Sequence, residues 1–172
     1  MLFKVYTDGS CSSNPGAGGF AFVIVSSRDN ILLKVSGCSN MTTNNQMELK
    51  AIVSALSHLQ ENFAVNSRHN VIEVYSDSAY CINPLTQGWL ANWKKFDWCT
   101  KKGEKIKNVE LWQELDMVLK RIRAKVVFIK VKGHAGNTFN ELADDLAQAA
   151  TRRALERAKR QESEAESYVS NK

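Results

Sequence analysis

The sequence predicts an α/β fold, a single mixed sheet covered by helices, and three observations lead there. Three apolar, β-branched runs follow one another from residue 2, joined by glycine-rich or polar turns, as in an antiparallel meander. A segment with apolar residues at helical spacing comes next. Two further strand-like runs then alternate with helical patterns, so helices have a sheet to cover. No internal repeat or low-complexity linker divides the chain.

The first strand covers residues 2–8 and ends on Asp8, with a tight loop expected over 9–19. A carboxylate at a strand end is either a plain turn former or a functional group. Residues 18–26 and 31–38 read as the next two strands around the turn Ser27-Arg28-Asp29-Asn30. Leu49, Ile52, Val53, Leu56 and Leu59 then mark the buried stripe of a helix. Glu48 precedes that stripe. It stands at N3 if Asn45 is the cap, and in the first turn the helix dipole favours its charge. Val71-Ile72-Glu73-Val74-Tyr75-Ser76-Asp77 repeats the pattern of the first strand, an apolar run ending in a carboxylate.

A short helix is expected near 79–83, stopped by Pro84. The stretch 89–98 interleaves Trp89, Trp93, Phe96 and Trp98 with Lys94 and Lys95, which suits either stacking on a nucleic acid or core anchors beside a solvated face. Asn108 is placed to cap a helix with Trp112, Leu115, Leu119 and Ile122 inside. The last strand is expected over 124–132, followed by Gly133-His134-Ala135-Gly136-Asn137. Thr138 and Glu141 have capping-box spacing, so a final helix begins there and carries Asp144 near its start. Asp144 and Asp145 point about 100° apart, so at most one of them faces a site fully. Beyond about residue 160 the Glu, Ser and Lys composition suggests fraying or disorder.

With 172 residues, 44% hydrophobic and 24% charged, one globular domain with a real core is expected. The longest apolar run is too short to span a bilayer, and no basic n-region followed by an apolar h-region opens the chain. A soluble, cytoplasmic protein is expected. Cys11, Cys38, Cys81 and Cys99 lack C-x-x-C spacing, which argues against a zinc site and for free thiols. The net charge of +5 is concentrated: residues 94–107 hold six lysines against two acids. A polyanionic partner fits that distribution.

Tyr6-Thr7-Asp8-Gly9-Ser10, Thr43-Asn44-Asn45-Gln46-Met47-Glu48-Leu49, Tyr75-Ser76-Asp77-Ser78 and Val131-Lys132-Gly133-His134-Ala135-Gly136, followed by Asn140 and Asp144, resemble in order and spacing the motifs of type 1 ribonuclease H. The resemblance implies the ribonuclease H-like fold, a five-stranded mixed sheet of three antiparallel plus two parallel strands flanked by helices. Residues 1–150 would be the catalytic domain and 151–172 a helical extension with a disordered tail. It implies a monomeric endonuclease that hydrolyses the RNA strand of RNA·DNA hybrids, leaving 5′-phosphate and 3′-hydroxyl ends, with two Mg²⁺ ions per site or Mn²⁺ in their place. Asp8, Glu48, Asp77 and Asp144 would be the metal ligands and His134 a proton-transfer or product-release residue. Cys11, Asn14, Asn44 and Asn45 match residues that read the 2′-hydroxyl. Thr43 and Asn108 match a DNA-phosphate pocket, and Trp89 and Trp93 the channel under the DNA strand. Lys94 and Lys95 begin the basic protrusion, and Asn140 completes the substrate-contacting set. Met41 and Ala79 depart from the family, which often has arginine and glutamine there.

Paired cations can stabilise both the attacking and leaving oxygens of a phosphodiester, and Mg²⁺ takes oxygen ligands without His or Cys. Two other readings remain open at this point: a related-fold DNA nuclease of integrase or resolvase type, and a non-catalytic hybrid-binding module. A nucleotide site on Gly16-Ala17-Gly18-Gly19 is weak, because no Gly-Lys-Ser/Thr follows.

Overall fold

Glycine, serine and cysteine look like loop formers, yet Gly9, Ser10 and Cys11 pair with Phe20, Gly19 and Gly18 and continue the first strand beyond Asp8. The computed structural model describes residues 1–63, 67–133 and 135–170, the last six of these by backbone alone. Strand β1 (Leu2–Cys11) runs antiparallel to β2 (Gly16–Ser26), and β2 to β3 (Ile31–Thr42). The connecting loop therefore shrinks from the expected 9–19 to 12–15, and Asp8 lies inside a paired strand. After helix α1 (Asn44–Asn62), β4 (Val71–Ser76) pairs parallel with β1, and β5 (Lys125–Lys130) parallel with β4. The sheet order is β3-β2-β1-β4-β5, the mixed five-stranded arrangement expected from the sequence.

Alternation along β1 sorts its side chains to two faces. Phe3 and Val5 join Phe22, Ile24, Ile72 and Val74 beneath the α1 stripe Leu49, Ile52, Leu56 and Leu59 in the larger core. Trp112 and Leu115 of α4 (Val109–Arg121) close that core from the side. Tyr6, Val23 and Val25 face the other way, against Ala143 of α5 (Thr138–Ser170).

Several local readings need correction. α1 is capped by Thr43, whose side chain accepts from the Gln46 N–H while Gln46 Oε1 accepts from the Thr43 N–H. The Asn45–Glu48 box does not form, because Thr43 offers the same chemistry two residues earlier. Glu48 consequently sits in the second turn. α2 (Ala79–Thr86) runs through Pro84, which is buried against the core, where the sequence suggested a stop. Asn108 stands at the start of α4 with φ 56° and makes no side-chain cap. Its amide instead donates to Tyr80 Oη at 2.9 Å. α5 is capped by Asn137, whose Oδ1 accepts from the Asn140 N–H at 3.1 Å, so Thr138 is the first helical residue. Glu141 reaches back to the Gly136 N–H at 3.1 Å.

α5 is continuous to Ser170, a run of Ala, Glu, Arg and Lys that favours helix. Among the described residues no helix is long and apolar enough to cross a membrane, and the four cysteines are free.

Candidate active site

Each acidic side chain singled out in the sequence rides on a different element. Asp8 projects from β1, Glu48 from α1, Asp77 from the end of β4 and Asp144 from the second turn of α5. The parallel β1–β4 register brings Tyr6 beside Tyr75, so Asp8 and Asp77 leave adjacent strands at nearly the same level. Gly9 lets α1 approach: a Cβ there would fall closer than 3.0 Å to the backbone of Met47 and Glu48. As a result one carboxylate oxygen each from Asp8, Glu48 and Asp77 lie within 4.8 Å of one another.

Asp144 joins this trio at its rim. It lies within hydrogen-bonding reach of Asp8, and its own Oδ1 accepts from Gln148 Nε2 at 2.7 Å. Asp145 is exposed, which settles which of the two neighbours faces inward. The start of α5 is held by an aromatic stack, Tyr6 on Tyr75 at 4.7 Å between centroids and on Phe139 at 5.3 Å.

Crowding four acids has the electrostatic result expected of it. Burial, then the charge of Asp77, pushes Asp8 up to about 8 against the opposing hydrogen bond from the Gly9 N–H. Burial, then the charges of Asp8 and Asp77, holds Glu48 well above the ordinary carboxylate range. Glu48 Oε1 accepts from Asn44 Nδ2 at 3.3 Å. Its buried Oε2 has no hydrogen-bond partner among the described residues. A buried carboxylate oxygen in that state is a vacant donor atom in an all-oxygen cluster, which fits a hard divalent cation.

Beside the acids lies a cleft of about 420 Å³ lined by Asn14, Thr43, Asn45, Lys107 and Asn108. Amide, hydroxyl and ammonium donors suit phosphate and sugar oxygens. Asn14 Oδ1 also accepts from the Asn44 N–H at 2.8 Å, tying the β1–β2 loop to the start of α1. The Cys11 thiol, at the end of β1, points at the carbonyls of Ser13 in that loop, Gly16 at the start of β2 and Thr42 at the end of β3.

The RNase H family profile matches residues 2–152. The chain belongs to the RNase H family, as a type 1 enzyme. Curated relatives named Ribonuclease H include that of Acetivibrio thermocellus, 46% identical over 144 residues, covering 84% of this chain and 90% of the relative. That of Rhodopirellula baltica is 46% identical over 155 residues, covering 88% and 92%. Among solved structures, LC9-RNase H1, a type 1 RNase H with the type 2 active-site motif, superposes with a TM-score of 0.75 at 30% identity, covering 89% of this chain and 73% of that one. LC11-RNase H1 in complex with an RNA/DNA hybrid superposes at 0.70 and 26% identity, covering 89% and 99%.

Other residues singled out for this RNase H divide between that cleft and a separate groove. Thr43 and Asn108 both line the cleft. Trp89 and Trp93 share a separate apolar groove with Phe96 on α3 (Trp89–Lys95) and the segment after it, and Trp93 packs edge-on against Trp112 at 5.2 Å. Lys95 is exposed. Lys94 is not a free cation, for its Nζ pairs with Asp116 of α4 at 2.6 Å, and Lys120 pairs with the same carboxylate at 2.7 Å. Burial would raise Asp116, but the two lysines outweigh it and hold the group below the ordinary range. Asn140 is buried, with its Oδ1 unpartnered among the described residues. Met41 is 70% exposed and Ala79 opens α2. His134 lies outside the described residues.

Three positions carry structural weight that the sequence reading passed over. Tyr80 Oη receives both Asn108 Nδ2 and Trp112 Nε1, at 2.9 and 3.2 Å, and so braces the cleft wall. Gly133 packs its backbone on the Asp77 carboxylate, where a Cβ would collide with Oδ2. Asp116 ties α3 to α4. The glycine lies inside the Gly-His-Ala-Gly motif and Asp116 stands at i,i+4 spacing from Lys120, whereas Tyr80 had no sequence signal.

Proposed function

We propose that this RNase H is a monomeric cytoplasmic endonuclease that hydrolyses the RNA strand of RNA·DNA hybrids with two divalent cations, Mg²⁺ or Mn²⁺, leaving 5′-phosphate and 3′-hydroxyl ends. The reading rests on one observation above others: three buried or half-buried carboxylates converge within 4.8 Å, with a fourth at the rim and Glu48 Oε2 unpartnered among the described residues. Bound divalent ions supply charge stabilisation for the attacking and leaving oxygens of the phosphodiester. Asp8, Glu48, Asp77 and Asp144 would hold them.

The remaining work falls to this chain's own side chains. Asn14, Asn44 and Asn45 offer amides able to read a 2′-hydroxyl that both donates and accepts, beside Cys11. Thr43, Asn108 and Lys107 grip a phosphate of the DNA strand, and Trp89 and Trp93 give it an apolar bed. His134 relays a proton or speeds product departure, a role suited to a group titrating near neutrality. The catalytic unit spans 1–150, and 151–172 is an extension of it.

Hybrid, duplex DNA and duplex RNA, each labelled on one strand and incubated with Mg²⁺, test the assignment. Cleavage confined to RNA in the hybrid, with ligatable 5′-phosphate products, is expected. Cleavage of duplex DNA would select the integrase-like alternative, and tight hybrid binding without cleavage the binding module. A pure binder has no use for uncompensated negative charge where a polyanion docks.

Two variants probe the supporting residues. His134→Ala is expected to slow turnover roughly tenfold to a hundredfold without abolishing it, since general acid–base groups contribute on that order or somewhat more. A dead enzyme in single-turnover assays would make the residue a ligand or a structural element instead. Asp116→Ala releases Lys94 and Lys120 from their shared partner and unties α3. KM for the hybrid is expected to rise several-fold with kcat little changed, at a stability cost of about 1 kcal/mol for a partly exposed ion pair. A fall in kcat at constant KM would remove Asp116 from substrate positioning.

A further inference from the structure

The RNase H motifs leave one charged surface unexplained. Residues 152–160 of α5 hold five cations, Arg152, Arg153, Arg157, Lys159 and Arg160, against the single acid Glu156. This stretch is not a loose tail. Ala150 and Thr151 are buried and Ala154 is fully so, and Thr151 Oγ1 donates to the Ser10 carbonyl at 3.2 Å. A Cβ on Gly19 would collide with Ala147, Ala150 and Thr151, so α5 crosses β2 in direct backbone contact.

The arginines next to that buried stripe lie along the edge strand. Arg153 donates to Ser36 Oγ at 2.9 Å, and Arg157, one turn on, reaches Cys38 Sγ at 3.8 Å. Lys34, Ser36 and Cys38 alternate onto the same face of β3, so the exposed Lys34 adds to the row. β3 itself contains no acid. Arg152, Lys159 and Arg160 stand on the outer face of the helix, and acids resume only at Glu162.

Register connects this ridge to the chemistry. Asp8 pairs with Ala21, and Ala21 with Ser36, so the residue that anchors Arg153 lies in the same cross-strand row as Asp8. Two strand spacings separate them, about 10 Å. The ridge therefore starts beside the acid cluster and leads away over the edge of the sheet, on the α5 face. The cleft of Thr43 and Asn108, by contrast, belongs to the α1 side.

We propose that Arg152, Arg153 and Arg157, with Lys34, form an auxiliary binding surface for the phosphodiester backbone of the substrate duplex where it extends past the catalytic cleft. The inference rests on the hybrid-cleaving reading for the identity of that duplex. The ridge adds affinity and length preference without touching the reacting phosphate. Separated side chains contacting successive phosphates make a sequence-independent, salt-sensitive contribution.

Fluorescence anisotropy in EDTA, over a range of salt concentrations, compares wild type with the triple variant R152Q/R153Q/R157Q and with the matching R152K/R153K/R157K. The probes are hybrids of roughly 30 and roughly 10 base pairs; at about 3.4 Å per base pair the second reaches about 17 Å from a centred scissile phosphate and so meets the near end of the ridge at most. The glutamine variant is expected to lower the magnitude of the log K against log salt slope by about 2–3, and to weaken binding of the long hybrid about tenfold at physiological salt. The short hybrid should be held within twofold of wild type, and the lysine variant should keep both slope and affinity. Equal weakening at both lengths, an unchanged slope, or a lysine variant as weak as the glutamine one would overturn the proposal. Binding in EDTA is read without cleavage, so a chain that shows the length effect yet cuts no hybrid sinks the proposed reaction and leaves the ridge standing.

Discussion

Asp8→Asn is expected to abolish hydrolysis, by roughly a thousandfold or more, and at the same time to raise the melting temperature of the metal-free protein. Both effects come from one geometry. Asp8 is buried between Asp77 and Asp144, and burial plus those charges push it up to about 8. An acid whose pKa is higher folded than unfolded binds its proton more tightly in the native state. Its stabilising contribution is complete below the unfolded value, near 4, and is lost as pH rises through about 8. Glu48 is displaced in the same direction. Stability in EDTA should therefore fall steadily between pH 4 and 8, by an amount on the order of several kcal/mol. Asparagine keeps an oxygen for the Gly9 N–H, which now reaches Asp8 Oδ1 at 2.8 Å, but carries no charge. The variant should flatten that pH dependence. Saturating Mg²⁺ should raise the wild-type midpoint, by about 2.7 kcal/mol at a hundredfold excess over Kd, and scarcely move that of the variant. Thermal denaturation at several pH values, with and without Mg²⁺, checks both halves. A wild-type midpoint indifferent to Mg²⁺ would remove the acid cluster from metal binding.

How much of this could be read from the chain depended on whether the partner lay nearby in sequence. The five strands and the stripe of α1 were legible because apolar periodicity is local, and the acids stood out because each occupied a motif. Strand ends were less so. Gly9, Ser10 and Cys11 have loop composition, and only their pairing with residues 18–20 of β2 makes them strand. Caps slipped by one or two residues where neighbours were equally competent: Thr43 and Asn45 both suit an N-cap, as do Asn137 and Thr138. Lys94 read as a free cation because Asp116 lies 22 residues away on another helix. The Asp116–Lys120 pair, at i,i+4 spacing, was visible to inspection, but not the third member that converts it into a tether between helices. Tyr80 gave no signal at all, since its partners Asn108 and Trp112 become neighbours only once α4 docks.

Gly9→Ala should damage both fold and site, although it adds a single methyl. Gly9 has ordinary strand geometry, so backbone strain is not the cause. The cause is proximity: the new Cβ would lie closer than 3.0 Å to Met47 C and to Glu48 N and Cα, all main-chain atoms of α1 that cannot rotate aside. Either β1 bends or the helix lifts. Leu49, Ile52 and Leu56 are fully buried beneath that helix, so lifting it opens the larger core. Overpacking of this kind costs about 1–3 kcal/mol, which for a chain of this length corresponds to a fall of roughly 2–12 °C in the melting temperature. The residual activity of the folded fraction is the more telling readout. Glu48 is the residue whose backbone would be displaced, and its carboxylate lies within 4.8 Å of those of Asp8 and Asp77, where the proposed ions would be held. At a temperature where the variant remains folded, its requirement for Mg²⁺ should shift to higher concentration and kcat should fall at least tenfold, as expected when catalytic groups are displaced by about 1 Å. Serine at the same position carries the same Cβ and should behave alike. An alanine variant that melts early but titrates with Mg²⁺ like wild type would show that α1 can move without taking Glu48 with it, and would separate the packing role of Gly9 from the placement of the acid.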